Sequence, residues 1–207
     1  MMIVPLGINC TTCISLDLAK MKGVSFPFDY IDTSSYAYIR KVLVLEKDNV
    51  REFVGEYFSP KNFDRNTCKS VDTTWFPHMV PGQNHIWGGD EILNTYTRRI
   101  ERLLDTIDNE ETVIFISGSF VYDESRKDFN KKHYIDITNY LKYKRQNKKN
   151  YFISYNLFDD NFMIDSNHVN FNLNITNNGD KTPDYNSMGK KLKTIIVAFS
   201  INYNVDT

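Results

Sequence analysis

Apolar and polar positions alternate along this chain in blocks of two periods. Residues 3–6 (Ile3-Val4-Pro5-Leu6) are apolar on both sides and are closed by Gly7, which predicts a short buried strand. Residues 11–22 carry Ile14, Leu16, Leu18, Ala19 and Met21 on an apolar side, which predicts a helix stopped by Gly23. Ser34 or Ser35 caps a second helix reaching Leu45, and residues 50–57 form a short third one. The clearest helical period runs from Glu91 to Asp108, with Ile92, Tyr96, Ile100, Leu103, Leu104 and Ile107 along one side. Residues 112–117 (TVIFIS) are apolar on both faces, as in a central parallel strand covered from two sides. A helix over 131–144, a strand over 151–155, an alternating edge strand over 169–175 and a helix over 188–199 follow.

Strands alternating with helices imply an α/β fold with a mostly parallel sheet and helices on both faces, and the length fits one domain over residues 1–207. In such sheets ligands bind beyond the C-terminal ends of the strands, where Cys10 and Gly118-Ser119 would lie. Residues 59–90 break the pattern. They are rich in Pro, Gly, Asn and Asp, and they carry Cys68, Trp75, His78, His85 and Trp87. A long irregular segment in a compact domain points to function, with the two tryptophans as anchors at the core rim.

Composition narrows the classes. Net charge is −1, so no global basic excess points to nucleic acid or an anionic membrane. The basic run KYKRQNKK (142–149) reads as the capped end of a solvated helix. No run of about 20 apolar residues is present, so no membrane span is expected. Three cysteines, an odd and low count, argue for a reducing, cytoplasmic setting over a disulfide-stapled one, and MMIVPLGINC lacks the features of a secretory signal. Asparagine makes up about a tenth of the chain, a bias that suggests an AT-rich genome such as a viral one.

The chemistry starts at Gly7-Ile8-Asn9-Cys10. A turn between a strand and a helix puts Cys10 at a helix N-terminus, where unpaired N–H groups favour thiolate over thiol. A nucleophilic cysteine needs a base and a group that orients the base. His78, between Pro77 and Pro81, is the candidate base, and Asp29 is the candidate orienter. Asn9 and the helix-start N–H groups are candidates for an oxyanion hole, and Arg98 and Arg102 share a helix face from which an arginine could brace the site. Two other uses of the cysteines are weaker. Cys10 and Cys13 form a C-x-x-C without the other marks of a thioredoxin-type redox pair, and a zinc site would lack its second closely spaced ligand pair, so no metal or other cofactor is called for. Cys13 reads as a core residue of the helix. Asp184, before the last helix, stands where ester hydrolases of the SGNH type hold an Asp and a His. No His follows here, so Asp184 reads as a helix cap.

Four of these pieces, in order, resemble a bacterial and viral family of uncharacterised domains classed as papain-like cysteine peptidases. They are Leu6-Gly7-Ile8-Asn9-Cys10, Ser25-Phe26-Pro27-Phe28-Asp29-Tyr30, Phe76-Pro77-His78, and the Arg98-Arg99 helix running into Val113-Ile114-Phe115. The resemblance covers residues 3–117. It implies a cysteine-dependent hydrolase or acyl transferase with Cys10 as nucleophile and His78 as base, acting on a protein, peptide or acylated glycan. The family carries Asp after this histidine and the chain has Met79, so orientation of the imidazole would fall to Asp29 or another carboxylate. An SGNH-like glycan esterase and a non-catalytic scaffold stay open as alternatives.

Overall fold

The computed structural model describes residues 1–7, 10–29, 31, 36–74, 76, 89–118, 127–156, 162–165, 167–171 and 184–202. Its centre is a sheet in which β1 (Met2–Pro5), β4 (Thr112–Gly118), β5 (Lys149–Tyr155) and β7 (His168–Phe171) run parallel, in that order. A fifth strand, β6 (Phe162–Asp165), joins antiparallel on the far side of β7, with a register irregularity between Met163 and Asp165. The helices among the described residues are α1 (Thr11–Leu18), α2 (Ala37–Leu43), α3 (Val50–Tyr57), α4 (Gly89–Asn109), α5 (Lys127–Lys144) and α6 (Tyr185–Asn202).

The layers follow from β4. Its successive side chains point to opposite faces. Val113 and Phe115 enter a large cluster with residues of α2, α3, α4 and α5. Ile114 and Ile116 enter a second cluster with Leu16 of α1 and Met188, Leu192 and Ile196 of α6. Both faces of the sheet are therefore covered, which is the α/β arrangement the sequence predicts. Among the described residues no helix is long and apolar enough to cross a membrane.

Four local expectations change. The alternating segment near residue 169 is not an edge strand, because β6 pairs along its outer side. Residues 59–90 include regular structure, a two-residue-per-arm hairpin of β2 (Phe63–Asp64) and β3 (Lys69–Ser70). It is fastened by Asp72, whose Oδ1 accepts from the hydroxyls of Tyr57 (2.7 Å), Ser70 (2.5 Å) and Thr74 (2.9 Å) while Lys41 pairs with Oδ2 at 2.8 Å. Burial works against that carboxylate, but these donors outweigh it and hold Asp72 down at about 2. Third, α1 ends before Gly23. Lys20 takes a left-handed conformation (φ 56°), its N–H reaches Asp17 O, and Met21 N–H reaches Leu16 O, the paired bonds of a Schellman stop.

The fourth change concerns the basic run. Arg145 is buried (2 % exposed) and serves as a cap between helices. Its guanidinium donates to the carbonyls of Thr106 (3.0 Å) and Ile107 in the last turn of α4, to that of Glu110 (2.8 Å) just past it, and to Asn150 Oδ1 at 2.5 Å. Lys148 donates to Asp108 O beside them. Arg145→Ala strips these acceptors of their partner in a dry site, so it should lower the unfolding free energy by about 3 kcal/mol or more, read by urea titration.

Candidate active site

Cys10 is the N-cap residue of α1, just beyond the C-terminal end of β1, and it is half-buried. Its own side chain makes no capping bond, so the sulfur is not spent on closing the helix. One end of the sheet supplies its surroundings. Gly118 closes β4, and a Cβ built there would lie 2.5 Å from ring atoms of Tyr155, so only glycine lets that ring lie over the strand end. The Tyr155 hydroxyl then meets Thr12 Oγ1 at 2.5 Å, in the first turn of α1. From α6, Tyr185 comes near enough for the Cys10 sulfur to act on its phenol electrostatically. Burial pushes the pKa of both tyrosines up, and the nearby sulfur pushes it further, so both phenols stay neutral near pH 7.

α6 reaches this point because Gly189 allows close backbone contact, a Cβ there lying 2.7 Å from Ser15 O of α1. Asp184 caps α6 as the sequence predicts, accepting from Ser187 N (3.0 Å) and Ser187 Oγ (2.6 Å).

One helical turn after Cys10 lies Cys13, a buried residue as expected, and the Schellman turn brings Lys22 back over it. The Lys22 ammonium sits 3.1 Å from Asp29 Oδ2 and 3.6 Å from Asp17 Oδ2, and the Cys13 sulfur acts on it electrostatically. Asp29 has no exposed surface. Its Oδ2 also accepts the Phe26 N–H at 3.0 Å, which closes the Phe26–Asp29 turn. Desolvation pushes the Asp29 carboxyl up, and Lys22, the Phe26 N–H and Arg99 pull it back. Burial alone would push Lys22 down, but Asp29 and Cys13 hold it protonated above its ordinary range. The other oxygen, Oδ1, has no hydrogen-bond partner among the described residues.

Of the arginines on α4, Arg98 is exposed, whereas its neighbours reach the turn. Arg102 donates to Ser25 O at 2.7 Å, and Arg99 stacks over Tyr96 and faces Asp29. His78 and Asn9 lie outside the described residues, as do Met79, Trp75, His85, Trp87 and Ser119. The root of the histidine loop is described. Phe76 is fully buried and packs edge-on against Tyr38 (5.7 Å), whose ring also meets Phe28 of the Phe26–Asp29 turn (6.0 Å). One aromatic cluster thus holds both Phe76, two residues before His78 in the chain, and the turn that carries Asp29. Lys22, Tyr155 and Tyr185 were not legible as site neighbours. Each is an ordinary surface or core type in its own segment, and only the fold brings it to a cysteine.

Among the described residues no group of three His, Cys, Asp or Glu side chains is gathered to hold a metal ion. No family model, curated protein or solved structure matches this chain.

Two outcomes follow from burial and charge. Cys10 is half-buried, while Cys13 and Cys68 are each 1 % exposed. An aromatic disulfide reagent should therefore release one equivalent from the native protein and three after denaturation; more than one fast native thiol contradicts the packing of α1. Lys22→Met leaves a buried carboxylate without its ammonium and should destabilise by roughly 3 kcal/mol, and Lys22→Met with Asp29→Asn should recover most of the loss in thermal melts.

Proposed function

We propose that the protein is a cysteine-dependent hydrolase or acyl transferase with Cys10 as its nucleophile. The observation that carries this is the sulfur's position: half-exposed at the end of the parallel sheet, at a helix start and uncommitted to capping. His78 is proposed as the base. The aromatic cluster that roots its loop at Phe76 also holds the Asp29 turn, which supports bringing the two together.

The steps are those of thiol acyl transfer. His78 takes the Cys10 proton, the sulfur attacks a carbonyl carbon, and helix-start N–H groups with Asn9 receive the developing charge. His78 returns its proton to the leaving group, and water or an acceptor then releases the acyl chain. The sequence resemblance to papain-like peptidases favours a protein or peptide substrate and a cytoplasmic setting, in a host cell if the genome is viral. A second reading, an SGNH-like esterase of acylated glycans, draws on the start of α6 lying at the nucleophile. Ser187 occupies the place of a histidine there and bonds back to Asp184, so that reading also needs His78 as base.

A panel of fluorogenic peptide amides, thioesters and acylated sugars tests this. Cys10→Ala should abolish turnover of whichever class is cleaved, with the circular dichroism spectrum unchanged, and His78→Ala should lower kcat/KM by about 10²–10⁴-fold. Turnover retained by Cys10→Ala would rule the mechanism out. Absence of turnover across the panel would favour the non-catalytic scaffold.

A further inference from the structure

α2, α3 and the two ends of the β2–β3 hairpin border a surface hollow of about 240 Å³, lined by Lys41, Phe53, Glu56, Tyr57, Asn62 and Val71. Pockets for drug-sized molecules run about 300–1,000 Å³, so this one has room for a single side chain. Much of its lining is aromatic and fixed. The rings of Phe53 and Tyr57, one turn apart on α3, stack with centroids 5.5 Å apart and planes 30° apart. The Tyr57 hydroxyl is tied to Ser70 (3.0 Å) and Asp72 (2.7 Å). Val71, 70 % exposed, adds an apolar wall at the surface.

The polar side chains of the hollow are left as acceptors. Lys41 is turned to Asp72 at 2.8 Å, and the two charges cancel. Asn62 spends its amide nitrogen on the Glu56 carbonyl (3.0 Å), which leaves its Oδ1. The Glu56 carboxylate is exposed and has no ion-pair or hydrogen-bond partner among the described residues. Glu52 stands four residues earlier on α3, a like-charge spacing that a cation relieves. The uncompensated charge at the hollow is therefore negative, and it lies beside aromatic rings.

We propose that this hollow binds the guanidinium of an arginine side chain from a protein or peptide partner. A guanidinium is planar and weakly hydrated, so it stacks on aromatic faces, and its fork of N–H donors matches a carboxylate. The fork pairs with Glu56 and Asn62 Oδ1, the plane lies against Phe53, and the methylenes run along Val71. Lys41 already sits over the Tyr57 ring at 5.7 Å, so a cation is accepted on this aromatic pair and Phe53 is the ring left for the incoming one. Glu56 repels an anion, and an uncharged aromatic ring would cover both acceptors without giving them a donor. The hollow takes this ligand whether or not Cys10 is a nucleophile.

The test titrates capped glycine-arginine-glycine, glycine-lysine-glycine and glycine-citrulline-glycine peptides into the full chain and follows the ring protons of Phe53 and Tyr57 by NMR. The arginine peptide should shift them saturably. Lysine, a cation without the planar fork, should bind about threefold more weakly. Citrulline, the uncharged isostere, should bind about tenfold more weakly. Glu56→Gln, a change at an exposed position, should weaken the arginine peptide about threefold while the rest of the spectrum stays in place. Equal binding of the arginine and citrulline peptides, or equal affinity of wild type and Glu56→Gln, overturns the proposal, as does the absence of saturable shifts at these two rings.

Discussion

Asp29 is a carboxylate with no exposed surface, and the path of the chain from one face of the sheet to the other is built around it. α1 lies on the face shared with α6, and α2 and α4 lie on the opposite one. Between them the chain turns at Phe26–Asp29, and that turn needs a charge in a place where charge is costly. Lys22 from the exit of α1, the Phe26 N–H and Arg99 of α4 offset part of that cost, and burial still leaves the carboxyl above its ordinary range. Arg102 holds the start of the same turn through Ser25 O. Elements from both layers thus meet at one buried carboxylate, and the position of α1 relative to the rest of the sheet is tied to it.

The position of Cys10 depends on this arrangement. Cys10 begins α1, and Lys22, just past the exit of that helix, pairs with Asp29, so the helix is tied to the buried carboxylate at its far end. On the far side Gly118 and Tyr155 set the height of the first turn through Thr12, and Gly189 brings α6 down onto Ser15. Two glycines therefore do what a hydrophobic contact could not: they let a ring and a backbone approach closely at the start of α1. The aromatic cluster of Tyr38, Tyr57, Phe58, Phe63, Phe76 and Tyr96 does the corresponding work for the loop that follows Phe76.

Much of the fold was legible in the sequence, for a physical reason. The strand at TVIFIS is apolar on both faces because both faces are covered, and the stripe from Ile92 to Ile107 repeats at the helical period because one side of α4 is buried. The misreadings share a cause as well. The outer strand β6 and the arms of the hairpin β2–β3 are short, so neither is long enough to set a period. Lys20 ends α1 in a conformation for which glycine is the usual signal. Arg145 sits in a run of charges whose other members are mostly solvated, and only the neighbouring end of α4 explains its burial. At the site, Cys10 and Asp29 could be singled out because turns advertise themselves. Lys22, Tyr155 and Tyr185 could not, because their partners lie far along the chain.

The central claim is that Cys10 and His78 act as one acid–base pair, and proton NMR titration of the His78 ring tests it most directly. In the wild-type protein an adjacent thiolate should hold the imidazolium protonated above the ordinary value of about 6.5, and Cys10→Ala should bring the titration down toward it. Identical His78 curves in the two proteins would mean that the ring does not sense the sulfur, and the hydrolase assignment would fail.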